Sequence, residues 1–156
     1  MRSVDHTSQT IQVLVQIEAG SRERHLYHED TLEYRGTKTM SLPFPYPYGF
    51  VIGTHASDGE CVDCYIVTRD RLQARSIVDC EPVGLLEQYE AGEVDHKVLA
   101  VPPGQEVELS PELLEELRGF VYALVAPFPE VQFRIENILP RAAALDHIQK
   151  SRGEAS

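Results

Sequence analysis

Long hydrophobic runs are missing from this chain: its apolar stretches span only a few residues, far short of the ~20 that a helix needs to cross a bilayer. The first ten residues, M-R-S-V-D-H-T-S-Q-T, hold no apolar h-region of the kind a secretory signal carries, so a cytoplasmic location is expected. Cations are scarce as well. Fourteen Lys and Arg stand against 25 Asp and Glu, a formal net charge of −11. That balance argues against a general nucleic-acid binder, which needs cation density to displace counterions, and against anionic membrane surfaces. A polyanionic ligand stays compatible with such a chain if a cation bridges the two. Cysteine is limited to Cys61, Cys64 and Cys80, an odd count for which reduced thiols are the expected state without export.

The 156 residues are enough for one domain burying about two-thirds of its unfolded surface. The expected domain spans 1–156, with 1–10 and 151–156 as flexible tails. I-Q-V-L-V-Q-I (Ile11 to Ile17) alternates strictly and predicts a strand with Ile11, Val13, Val15 and Ile17 on one buried face. Weaker extended patterns follow at H-L-Y-H and T-L-E-Y. S-L-P-F-P-Y-P-Y-G (41–49) carries three alternating prolines, which lack ladder N–H groups, so it predicts a rigid extended loop bearing aromatics. F-V-I-G, C-Y-I-V-T, S-I-V-D-C, P-V-G-L-L and K-V-L-A-V-P then read as short strands, at a spacing that favours a small barrel or sandwich. The character changes at Ser110, an N-cap followed by Pro111 and Glu112. Leu113, Leu114, Leu117, Phe120, Val121 and Leu124 form a helical stripe that Pro127 ends. A last strand, V-Q-F-R-I-E, precedes a helix from about Pro140 to Lys150. The fold class is α+β, mainly β, with two packed helices.

Two metal motifs overlap in S-D-G-E-C-V-D-C-Y-I-V (57–67). Cys61 and Cys64 form C-x-x-C, but zinc needs about four ligands and the second half of such a site is missing, even counting Cys80 with His55 or His96. A redox dithiol belongs at a helix N-terminus, whereas Cys64 begins a strand on which Cys64 and Ile66 share the core face. Asp58 and Glu60 flank Gly59, and residues i and i+2 of an extended chain project the same way. With Asp63 they form an oxygen-only cluster suited to Mg²⁺, Mn²⁺ or Ca²⁺. An EF-hand is excluded, because a loop from Asp58 would put Val62 and Arg69 at liganding positions. The bland alternative is a solvated Asp-Gly turn.

In order along the chain, V-L-V-Q-I-E-A-G-S-R, F-P-Y-P-Y-G-F-V-I-G-T, D-G-E-C-V-D, P-V-G-L-L and E-A-G-E-V-D-H-K-V-L-A-V-P resemble the soluble Mg-dependent inorganic pyrophosphatases, from about Val13 to Pro102. The family signature D-G-D-P-x-D stands here as D-G-E-C-V-D, Asp58 to Asp63. The resemblance implies an OB-like closed five-stranded β-barrel with helices packed outside. It implies divalent-metal-dependent hydrolysis of pyrophosphate to two phosphates with Mg²⁺ or Mn²⁺, and a homo-oligomer, hexamer or dimer. By position, Asp58, Asp63 and Asp95 match metal-binding aspartates, and Glu60 matches the carboxylate that helps activate water. Arg24, Tyr48 and Lys97 match residues that contact substrate phosphate.

The departures cluster on polar site positions. Gln16 and Leu26 replace acidic residues, Gly36 an arginine with Arg35 and Lys38 close by, Phe44 a tyrosine and Tyr89 an aspartate. Leu124 and Val125 fall where the family has a Tyr-Lys pair. Two outcomes follow from the resemblance: a pyrophosphatase, weakened or retuned toward another phosphoanhydride, or a catalytically degenerate homologue that binds a ligand or a partner.

Overall fold

The computed structural model describes residues 10–55 and 60–153; Asp58 lies outside them. Nine strands and two helices follow in order: β1 Ile11–Ile17, β2 Glu23–Tyr27, β3 Tyr34–Thr39, β4 Tyr48–Val51, β5 Asp63–Ile66, β6 Ile77–Glu90, β7 Glu93–Val94, β8 Lys97–Val101, α1 Pro111–Val125, β9 Phe133–Pro140 and α2 Arg141–Gly153. The main sheet runs β1-β4-β5-β8-β6-β7, and a further β1–β6 pairing closes five strands into a ring. Strand β9 adds to the outer length of β6, while β2 and β3 form a separate hairpin. The mainly β α+β class and the closed five-stranded arrangement are borne out.

Strand β1 departs from the simple alternation. Ile11, Val13 and Val15 share one apolar cluster with Cys64, Ile66 and Val98, but Ile17 joins another with Phe44, Tyr48 and Leu117. The pairing with β4 shifts between Val15 and Ile17, and such a bulge turns the next side chain to the other face. Leu14 and Gln16 are buried too, so both faces of β1 are covered, not one. At the same place β1 and β4 press together at Val15 and Gly49. A Cβ on Gly49 would stand 1.9 Å from the Leu14 carbonyl oxygen, and this close approach is why Y-G ends the proline-rich loop.

S-I-V-D-C and P-V-G-L-L are one 14-residue strand, β6, rather than two. Its register with β8 shifts between Pro82 and Gly84, where a bulge absorbs a proline that cannot donate to the ladder. T-L-E-Y is also different from expectation: Leu32 has φ of 64°, and the strand begins only at Tyr34. Helix α1 starts as anticipated, with the Leu113 N–H donating to Ser110 Oγ at 3.1 Å. Its buried stripe is Leu113, Leu117 and Val121. Helix α2 packs Ala144 and Ile148 against the first cluster and continues to Gly153, past the expected boundary at 150. There Ser151 is buried and its carbonyl accepts the His55 N–H at 2.8 Å. Among the described residues, no helix is long and apolar enough to cross a membrane.

Candidate active site

The parallel pairing of β5 with β8 sets Cys64 beside Val98, which brings the preceding residues, Asp63 and Lys97, alongside each other. Lys97 Nζ donates to Asp63 Oδ2 at 2.7 Å and to Asp95 Oδ1 at 3.1 Å. Asp95 reaches the same ammonium because i and i+2 on an extended chain share a face. The tight turn at Ala91 and Gly92, both at positive φ, folds β7 back on β6. The Asp95 N–H then donates to the Gln88 carbonyl at 2.9 Å, so the register of Asp95 is fixed by the hairpin.

Lys97 is buried, with 8% of its side chain exposed, against 20% for each aspartate. Burial alone would lower the Lys97 pKa, but Asp63, then Tyr48 and Asp95, outweigh it and raise it well above the ordinary lysine value. Burial would likewise raise Asp63. Lys97 and Arg24, with a hydrogen bond from the Tyr48 hydroxyl, instead hold it below the usual carboxylate value. Both partners therefore stay charged at neutral pH.

Around this centre lies a cleft of about 690 Å³, lined by Arg24, Tyr48, Glu60, Asp63, Asp95 and Lys97 among others. Six of the seven residues anticipated from sequence thus meet in one place, from β2, β4, β5, β8 and two loops. Arg24 stacks over Tyr48 at 5.3 Å from the ring centroid, and the Lys97 ammonium lies 5.9 Å from the same ring. Glu60, exposed at the rim, adds to the field on Arg24 after Tyr48, Asp63 and Glu29. Its neighbour is tied down, since the Cys61 N–H donates to Glu29 at 2.6 Å. Thr54 bolts the other side: its hydroxyl donates to the Val51 carbonyl at 2.7 Å and accepts the Val62 N–H at 2.9 Å.

Three residues with roles here were not among the sequence candidates. Gln16, read above only as a lost carboxylate, accepts from Arg24 Nη2 at 3.4 Å and donates to the His25 carbonyl at 3.2 Å, so it orients the guanidinium. Lys38 lines the cleft opposite Arg24 in the β2–β3 hairpin. Its signal was the period of two, which puts it on the same strand face as Gly36. Gln88, 3% exposed, lines the cleft and donates to Asp95 at 3.5 Å; no motif marks it. Tyr89, one residue on, points elsewhere, with its hydroxyl on Glu87 and Arg134 over its ring at 4.2 Å. Of the other replaced positions, Phe44, Leu124 and Val125 line the cleft, whereas Leu26 and Gly36 pair with each other in the hairpin.

The two sulfurs of the C-x-x-C do not converge. Cys61 packs with Leu14, Tyr27 and Phe50, while Cys64 lies with Cys80 in the cluster on the other side of its strand. All three thiols are free and buried; burial pushes Cys61 and Cys80 up to about 12. A C-x-x-C whose two sulfurs face different apolar clusters is packing, not a zinc or redox site.

The donor chemistry left for a metal is carboxylate oxygen. Asp63 and Asp95 already hold one cation, the Lys97 ammonium, between them. Mg²⁺ is typically held by one or two carboxylates plus water and substrate phosphate, and this pair fits that requirement.

The closed ring is the architecture that the resemblance carried by D-G-E-C-V-D implies. The comparison with known proteins agrees: a family model described as inorganic pyrophosphatase matches residues 13–155, and the chain belongs to that family. An inorganic pyrophosphatase of Nostoc is 31% identical over 94 residues, 59% of this chain and 56% of its own length, so the match spans little more than half of that relative. The inorganic pyrophosphatase of Aquifex pyrophilus is 26% identical over 152 residues, covering 90% of this chain and 86% of its own. The structure of an inorganic pyrophosphatase from Coxiella burnetii superposes with a TM-score of 0.84 at 22% identity, over 95% of this chain and 96% of that one.

Proposed function

We propose that this chain hydrolyses inorganic pyrophosphate to two phosphates with Mg²⁺ or Mn²⁺. The observation that carries the reading is the convergence of Arg24, Tyr48, Glu60, Asp63, Asp95 and Lys97 on one cleft. Asp63 and Asp95, with Asp58 as a third carboxylate, would hold the cation. When bound, it supplies neutralisation of phosphate charge and a more acidic water.

The protein's own groups account for the rest. Arg24, stacked on Tyr48 and hydrogen-bonded to Gln16, presents its guanidinium to a phosphate oxygen, a charge-assisted contact. Glu60 at the rim accepts the proton of the attacking water, whose oxygen bonds to one phosphorus as the bridging P–O bond breaks. Lys97 keeps Asp63 ionised, bridges it to Asp95 and stands beside the leaving phosphate, where charge builds.

Phosphate release in Mg²⁺ or Mn²⁺, measured beside an Asp63→Asn control, tests the reading. The expected loss in the control is about 100-fold or more, the usual cost of one preorganised charge contact. Wild-type release no faster than the control would remove the hydrolase reading.

A further inference from the structure

We infer that the cleft also takes a diphosphate monoester with an apolar organic arm and hydrolyses its terminal phosphoanhydride bond, an inference that rests on the pyrophosphatase reading above. The cleft has two unlike halves. One is the charged centre of Arg24, Asp63, Asp95 and Lys97; the other is a wall of Phe44, Leu124, Val125, Phe128 and Phe133. The halves are continuous. Arg24 sits 5.3 Å from the Tyr48 ring centroid, Tyr48 and Phe44 rings are 5.2 Å apart, and Phe44 meets Phe120 of α1 at 4.8 Å.

Inorganic pyrophosphate presents no apolar atom to that wall. Its two phosphoryl groups are also small for about 690 Å³, a size within the roughly 300–1,000 Å³ of sites for drug-sized ligands. Two of the five large hydrophobic residues left exposed among the described residues, Val94 at 41% and Phe128 at 51%, line this same cleft. Exposed apolar surface joined to a polar site marks a ligand groove.

Electrostatics sets the orientation. Leu124 and Val125 occupy the last turn of α1, which contains no basic residue. A helix C-terminus carries partial negative charge and repels a phosphate, so the phosphates belong at Arg24 and Lys97 and the arm along α1. An ester also carries one fewer ionisable oxygen than pyrophosphate. That suits a cleft where the Lys97 charge is already shared by two carboxylates. The reaction is ROP₂O₆³⁻ + H₂O → ROPO₃²⁻ + HPO₄²⁻ + H⁺. Water oxygen bonds to the terminal phosphorus, the bridging P–O bond breaks, and the organic monophosphate leaves with its C–O bond intact.

The test compares kcat/KM for inorganic pyrophosphate, methyl diphosphate and n-butyl diphosphate in Mg²⁺, with calorimetry on uncleavable methylene-bridged methyl and butyl analogues at several temperatures. A single methylene in an apolar pocket discriminates by roughly 10- to 200-fold. Because this cleft is open, a butyl-over-methyl preference of about 10-fold is expected, falling toward unity in Leu124→Ala and Phe128→Ala. The butyl analogue should also bind with the more negative heat-capacity change that apolar burial produces. Equal rates and heat-capacity changes for the two esters, or cleavage of pyrophosphate alone, overturn this inference and leave the pyrophosphatase reading standing. No cleavage of any of the three, pyrophosphate included, overturns both.

Discussion

Lys97→Met removes a cation that Asp63 and Asp95 share while roughly keeping side-chain volume. Deleting one partner of a buried ion pair costs ~3–5 kcal/mol, because the remaining charge is stranded. Here two carboxylates lose the cation, but Asp63 keeps Arg24 and the Tyr48 hydroxyl, Asp95 keeps Gln88, and each side chain is 20% exposed to water. The low end therefore applies: about 3 kcal/mol, or roughly 100-fold in the folding equilibrium. The assay is urea denaturation in metal-free buffer from pH 4 to pH 8. In the wild type, Asp63 is held below its ordinary 3.8, so its contribution is present above that value and is lost as pH falls through the folded pKa. In the variant, burial of Asp63 is opposed only by Arg24 and the Tyr48 hydroxyl, and its carboxyl is expected to move up. A group raised in this way stabilises at low pH and loses that contribution as pH rises. The deficit should thus be largest at pH 7 and shrink toward pH 4. A variant as stable as the wild type, or a deficit independent of pH, would refute the idea that Lys97 neutralises this pair.

Gly49→Ala should cost about 3 kcal/mol, the upper part of the usual overpacking range, since its Cβ would meet backbone at 1.9 Å rather than a movable side chain. Thermal unfolding measures it, and a wild-type melting curve would contradict the close approach of β1 and β4. The three buried thiols should react with a disulfide reagent at pH 8 only as fast as the protein unfolds, given Cys61 and Cys80 raised to about 12. Rapid labelling of the native protein, or one zinc per chain by metal analysis, would reopen the C-x-x-C as a functional site.

What could be read from sequence, and what could not, divides along physical lines. Local patterns carried the start of α1, where Ser110, Pro111 and Glu112 act through bonds and dipoles within one turn. They carried the core placement of Cys64 and Ile66 as well, because side-chain alternation is local. Features set by pairing with a distant strand were hidden. The bulge that sends Ile17 to a second cluster belongs to the β1–β4 register, and the union of two apolar runs into β6 is settled by β8 and β9. The site divides in the same way. Asp63, Asp95 and Lys97 were legible as chemistry, but the parallel β5–β8 pairing is what turns three residues into one ion cluster.

Gln16 carries the sharpest lesson. Read by position it is a missing carboxylate, and by that reasoning the site is weaker by one anion. In the fold its amide donates to the His25 carbonyl and accepts from the Arg24 guanidinium; a glutamate would lose the first contact and convert the second into an ion pair. An ion pair would draw the guanidinium toward β1 and away from a phosphate; the amide orients it while leaving its charge available. The loss of a negative charge at position 16 therefore pairs with the apolar wall at positions 124 and 125. The amide leaves the Arg24 charge free for phosphate while the wall offers none, so the two changes divide the cleft into a phosphate end and an apolar end.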